Sequence, residues 1–177
     1  QADQAAVTDR SFARLSGSAE AYQANLAAME RATRGLISTQ EQQAIANQLL
    51  GMRLVENDEQ LETLVSGARR LGKEFKGMNA AEAAEDFALL LSNMSYLRLD
   101  QFGLSAGAVR ERVNELKDAG MGAEDAFRTA VFEEMEKTLA RLGPEAATTS
   151  EKIDTLSAKV ADLKVSSGGF LSEFIDS

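Results

Sequence analysis

The stretch NDEQLETLVSGARRLGKEFKG, residues 57–77, determines the fold class of this chain. Its apolar residues recur every three or four positions, which places them on one face of an α-helix. These residues are Leu61, Leu64, Ala68, Leu71 and Phe75. Acidic side chains stand at its start and basic ones at its end, where each sign of charge suits the helix dipole. Asn57 with Gln60 resembles a capping box and Gly77 is a typical stop signal. The stretch therefore predicts an amphipathic helix over 58–76.

The same start and stop signals recur along the rest of the chain. Ser38 is followed by Glu41, Asn79 by Glu82, and Gly143 by a proline. We predict helices over 19–34, 39–54, 58–76, 80–97, 106–118, 123–142 and 147–166, and the first dozen residues are compatible with one more. No segment alternates with a period of two. The predicted fold class is all-α: a series of short amphipathic helices, able to form a bundle, followed by a longer coiled-coil-like helix.

The organisation is predicted to change at Gly143-Pro144, where a helix stop meets the chain's one proline. We divide the chain into an N-terminal helical segment over 1–37, a helical array over 38–143, and a third part over 144–177. That third part holds the coiled-coil-like helix and then the start of an apolar segment. We expect the chain to be a piece of a longer protein, because it begins with Gln.

One apolar stripe in each of two predicted helices is a candidate surface for self-association. The coiled-coil-like helix carries apolar residues at a 3-4-3 spacing, which is two heptads of a coiled-coil seam. The predicted self-association seam comprises Leu61, Leu64, Leu71, Phe75, Ile153, Leu156, Val160 and Leu163. A homo-oligomer is the expected consequence.

The absence of His and Cys excludes most hydrolase and redox chemistries. Zinc sites, haem or iron–sulfur ligation, disulfides and His-assisted nucleophiles all need one of these residues. Carboxylates could still serve as acid–base pairs or bind a hard cation, but their spacing favours solvated helix faces. The acidic groups concerned are Glu82, Glu85, Asp86, Glu133, Glu134 and Glu136. We read Gly120-Met121-Gly122 as a hinge, and we predict no enzyme, no catalytic residue, no cofactor and no metal.

The charge balance, 28 acidic against 19 basic residues, gives a net charge of -9. Such a surface disfavours general binding to nucleic acids and anionic membranes. The longest apolar run, Phe87 to Leu91, is far below the roughly 18 residues that a membrane span needs. We therefore expect no membrane span and no specific nucleic-acid binding.

Two alternatives from other functional classes stay open. Residues 104–117 resemble a DNA-binding helix-turn-helix, with Arg110 and Arg112 on the second helix. Between residues 98 and 118, however, four acidic residues accompany four basic ones, so the segment has no net positive charge to offset phosphate. A helical adaptor or chaperone is the other alternative. It would bind a partner helix through Phe127, Phe132 and Met135.

Three segments resemble the tape measure proteins of long-tailed bacteriophages and prophages. They are ATRGLIS at 32–38, LRLDQFGLSAGAVRERVNELKDAGMGAEDAFRTAVFEE at 97–134 and LSAKVADLKVSSGGFLSEF at 156–174. The resemblance implies a structural component of the virion, present in a few copies, commonly three, inside the tail tube. Its full length would set the tube length, and it would leave the tail at genome ejection. The implied partners are copies of itself, tail tube and tail tip proteins and tail assembly chaperones, the last in the host cytoplasm.

Overall fold

The computed structural model describes residues 2–145, 158, 161 and 162, and the regular structure among them is entirely helical. The helices are α1 (Ala2–Ser16), α2 (Ala19–Thr33), α3 (Thr39–Gly51), α4 (Asp58–Lys76), α5 (Ala80–Ser92), a 3₁₀ helix (Tyr96–Phe102), α6 (Ala106–Asp118) and α7 (Ala123–Leu142). The all-α prediction is confirmed for this part of the chain. The coiled-coil prediction stays a prediction, because most of the residues after 145 lie outside the described ones.

Two predicted helices end earlier than their apolar spacing indicated. Helix α5 stops at Ser92 instead of 97, since Met94 takes a positive φ of 47° and the Ser95 N–H bonds to the Leu90 carbonyl at 3.0 Å. Helix α3 stops at Gly51 instead of 54 by the same closure, in which Arg53 has a positive φ. These closures satisfy carbonyls that a helix end leaves unpaired.

Three glycine joints repeat one design. In each, a glycine with positive φ ends a helix. The N–H of the residue after Gly103 and after Gly120 bonds to the carbonyl five positions earlier, as in a Schellman motif, and the Met78 N–H bonds to the Gly72 carbonyl, six positions earlier. The joints are Gly77-Met78-Asn79, Gly103-Leu104-Ser105 and Gly120-Met121-Gly122. The third residue caps the next helix through its side chain in the first two joints, but Gly122 offers none. The chain thus reverses within very few residues, which brings successive helices into contact.

The residues group into two compact units, described here separately. The first contains residues 1–63 with the described residues after 146, and in it α1 packs on α2 and α3. Its core is formed by buried side chains including Phe12, Met29, Ile45, Leu49 and Leu61. The predicted capping box is present at the start of α3, where Ser38 and Glu41 bond reciprocally. Asp162 also reaches this helix end, because its carboxylate accepts the Thr39 N–H at 2.8 Å.

The second unit contains residues 64–146. Its core is built from buried side chains of α4, α5, the 3₁₀ helix, α6 and α7, among them Leu64, Leu71, Phe87, Leu90, Phe102, Val109, Phe127 and Met135. Phe87 and Phe102 meet edge to face with ring centroids 4.9 Å apart. This grouping differs from the predicted division at 37/38. The reason is that α1 and α2 pack directly on α3, so no boundary falls between them.

Candidate functional site

The stretch 97–134, which carries the longest resemblance, folds within the second unit as most of the 3₁₀ helix, α6 and the first part of α7. Gly103 ends the 3₁₀ helix with φ at 65°, and the Ser105 side chain then caps α6. Val109, Val113 and Leu116 of α6 are buried, as expected for one amphipathic face. Helices α6 and α7 therefore pack as an antiparallel pair around the Gly120 joint.

A charged contact links the two helices of this pair. The Arg112 Nε lies 2.7 Å from Glu133 Oε2 and its Nη2 lies 3.2 Å from Oε1, so the contact is bidentate. Arg112 also reaches Glu115 at 3.0 Å. The hydrogen bond from Arg112 lowers the pKa of the Glu133 carboxyl, and the bond to Glu133 raises the pKa of Arg112. Both side chains are more than a third exposed, so water screens the pair.

The Glu133→Gln variant is expected to lose less stability than the unaltered chain when the pH is lowered from 7 to 3. A carboxyl with a depressed pKa stabilises the fold above its unfolded-state pKa, and this contribution disappears as the pH falls through the folded-state value. Thermal unfolding followed by circular dichroism at several pH values measures the difference. Glu136→Gln, at an exposed position of the same helix, is the matched control. Identical acid dependence in the two variants would contradict the role of this pair.

Arg110, the other arginine of α6, contacts an aromatic ring instead of a carboxylate. The Arg110 guanidinium carbon lies 4.8 Å from the centre of the Tyr96 ring, within the range of a cation–π contact. Tyr96 in turn meets Phe127 edge to face at 5.2 Å. Both arginines that the helix-turn-helix alternative would direct at DNA are therefore engaged within the protein.

Most of the predicted self-association seam that lies within the described residues is internal. Leu61, Leu64 and Leu71 are fully buried in the chain's own core, so they are not available to a second copy while the units stay folded. Phe75 differs, because 46% of it is exposed and its ring packs over Gly103. The other four seam residues, Ile153, Leu156, Val160 and Leu163, lie outside the described residues.

The anchors of the adaptor alternative are also largely internal. Phe127 and Met135 are buried, and Phe132 is half-buried. Exposed large apolar side chains occur elsewhere in the second unit, at Leu89 and Met94 and above all at Leu97, which is 90% exposed. This exposure was not predictable from the sequence, because Leu97 continues the apolar spacing of α5 and becomes exposed only because that helix ends early.

The acidic side chains of the described residues do not assemble a metal centre. No group of three or more acidic side chains in residues 2–145, 158, 161 and 162 converges where it could hold a metal ion. In the same part of the chain, no helix is long and apolar enough to cross a membrane. Ion pairs join α6 to α7 at Arg112–Glu133, and α4 to the segment after α7 at Arg69–Glu145. The sequence indicated only that Arg69 belongs to the basic end of α4.

Comparisons with known proteins leave the family of this chain open. No family model, no curated protein and no solved structure matches it.

Proposed function

We propose that this chain is a non-enzymatic structural segment of a tape measure protein from the tail of a long-tailed bacteriophage or prophage. The observation that carries the proposal is how side chains are used in 97–134, the longest stretch that resembles tape measure proteins. Its two α6 arginines are engaged in contacts between elements of the fold, in Arg112–Glu133 and Arg110–Tyr96. A stretch whose side chains serve packing and capping supports a structural role.

In this role the segment lies inside the tail tube, where the length of the whole protein sets the length of the tube. Helices suit such a task because each residue adds a fixed rise of about 1.5 Å along the axis. Assembly involves copies of the chain, tube and tip proteins and tail chaperones, and the protein leaves the tail at genome ejection. Burial of Leu61, Leu64 and Leu71 moves the proposed contacts between copies to other surfaces, with Phe75 and the stripe beginning at Ile153 as the candidates that remain.

The experiment that tests the proposal changes the length of the protein by altering its gene in the phage or prophage genome. One strain carries an in-frame duplication of residues 58–142 and a second carries their deletion. If the added 85 residues lie as helices along the tube, tails lengthen by about 130 Å, and the deletion shortens them equally. Helices that stay folded back on one another give a smaller change of the same sign. Tail lengths are measured by electron microscopy of negatively stained virions.

A Leu97→Ser strain is the control, because it alters an exposed side chain without changing chain length. Its tails should keep the normal length. Peptides of the chain should also be detected by mass spectrometry in purified tails. Tails of unchanged length in both altered strains, or purified tails without these peptides, would overturn the proposal.

The DNA-binding alternative has less support, because its two arginines are engaged within the protein. A gel-shift titration of the chain against random duplex DNA at low salt separates the two proposals. A tape measure segment with a net charge of -9 should show no shift, whereas a regulator should retain non-specific affinity through phosphate contacts.

A further inference from the structure

The joint between α6 and α7 carries a methionine whose sulfur accepts a hydrogen bond. Met121 lies between Gly120 and Gly122 and is 37% exposed. A Cβ added at either glycine would meet nothing within 4 Å, so the surroundings of the joint are open. The Met121 Sδ accepts from the hydroxyl of Thr129, on the second turn of α7, with the Thr129 Oγ1 3.8 Å away. Sulfur is a weak acceptor, so this bond orients the Met121 side chain while leaving it at the surface.

Burial divides the six methionines of the chain into two groups of three. The buried group is at most 7% exposed and consists of Met29, Met78 and Met135. The exposed group lies at or just beyond helix ends, is between 37% and 44% exposed, and consists of Met52, Met94 and Met121. Oxidation of a methionine to its sulfoxide turns an apolar side chain into a polar one and disrupts a core. At an exposed helix end the added oxygen faces water, so the fold accommodates it.

The hydrogen bond from Thr129 makes the two sides of the Met121 sulfur different. A thioether sulfur has two lone pairs, and an oxidant can add its oxygen to either of them. The products are two sulfoxide epimers, each of which is reduced by a different enzyme. At Met121 the Thr129 hydroxyl occupies one lone pair, so an oxidant is directed to the other. Unequal amounts of the two epimers follow from this geometry.

We propose that Met121 is a site of modification by hydroperoxides and that Thr129 determines which sulfoxide epimer forms there. The sulfur lone pair attacks one peroxide oxygen, and the O–O bond breaks as the S–O bond forms. The proton of the transferred oxygen passes to the departing one, which leaves as water when the reagent is hydrogen peroxide. Sulfur is oxidised by two electrons and the peroxide is reduced by two. The inference does not depend on the proposed function, because it concerns only the α6–α7 joint.

Peroxide treatment of the full chain tests the site. The protein is exposed to limiting hydrogen peroxide, quenched and digested, and each methionine peptide is quantified by mass spectrometry. Because a buried sulfur reacts only when its unit opens, Met121 should be oxidised at least about tenfold faster than Met29 or Met135. The epimers at position 121 are then distinguished with the two epimer-specific reductases. One should exceed the other at least about twofold, as expected from a hydrogen bond at the weak end of the usual range.

Two variants test whether the Thr129 hydroxyl is the cause. Thr129→Val keeps the branched shape of the side chain and removes the hydroxyl, so the two epimers at position 121 should form in nearly equal amounts. Thr129→Ser keeps the hydroxyl and should preserve the excess. The epimer ratio at Met94, an exposed methionine of the same unit, is the internal control and should not change in either variant.

Three results would count against the inference. Oxidation of Met121 as slow as that of Met135 would show that its sulfur is not accessible to peroxide. Equal epimers in the unaltered chain would show that the hydroxyl does not shield one side of the sulfur. The same excess in Thr129→Val would show that other surroundings of Met121 select the epimer.

Discussion

Replacing Phe87 with alanine is expected to lower the free energy of unfolding by about 3–5 kcal/mol, which is the usual cost of truncating a buried phenylalanine. Phe87 is fully buried in the second unit, and its ring meets Phe102 edge to face at 4.9 Å. The variant loses the transfer energy of the ring, leaves a cavity and removes a favourable aromatic contact. Since small proteins are stable by only about 5–15 kcal/mol, much of the fold would be unfolded in mild denaturant.

The matched control for this prediction is Phe75→Ala. The sequence places both phenylalanines on the apolar stripe of a helix, but Phe75 is 46% exposed, with its ring over Gly103. Partial burial should limit its loss to about 1 kcal/mol. Urea unfolding followed by circular dichroism measures both variants. Equal losses would show that the two rings are equally buried and would contradict the packing of α4 described above.

The Gly72→Ala variant should be destabilised by about 1–3 kcal/mol, even though alanine is the better helix former by about 1 kcal/mol. Gly72 lies inside α4, where a Cβ would be 2.7 Å from the Cβ of Ala83 on α5 and 3.3 Å from the Phe102 ring. The Ala83 side chain is a single methyl group, so it has no flexible end that could move aside. The added methyl group must therefore push α5 away from α4.

Gly107→Ala, in the same unit, is expected to raise stability instead of lowering it. Gly107 lies in the first turn of α6, and the nearest atom to its added Cβ is the Ser105 Oγ at 3.9 Å. With no steric cost, alanine should stabilise the chain by about 0.4–1 kcal/mol, because it reduces the freedom of the unfolded state. The two variants should shift the thermal unfolding midpoint in opposite directions. A shift in the same upward direction for both would mean that α4 and α5 do not approach so closely.

Gly72 also illustrates what the sequence could not show. The apolar spacing predicts a helix over 58–76 that runs through Gly72, and the structure places Gly72 in the interior of a continuous α4. The spacing gives no reason why this position should be a glycine. The requirement for glycine comes from Ala83, which is on another helix. No local signal in α4 reports the approach of α5.

The self-association seam gives a second example of the same limit. Periodicity assigns Leu71 and Phe75 to one stripe, and it cannot tell whether that stripe faces the chain's own core or a second copy. In the structure the two residues differ in burial, because Leu71 is fully buried and Phe75 is 46% exposed. The charged contacts were likewise only partly predictable, because Arg69 pairs with Glu145, a residue 76 positions away.

The sequence by itself determined the elements that depend on neighbouring residues. The all-α class, the bounds of α4, α6 and α7, and the capping of α3 by Ser38 all follow from side chains within about four positions of one another. Only the tertiary structure decided the need for Gly72, the exposure of Leu97 and the pairing of Arg69 with Glu145. Helix formation and capping are local hydrogen-bond and dipole effects, whereas burial and ion pairing depend on which distant segments come into contact.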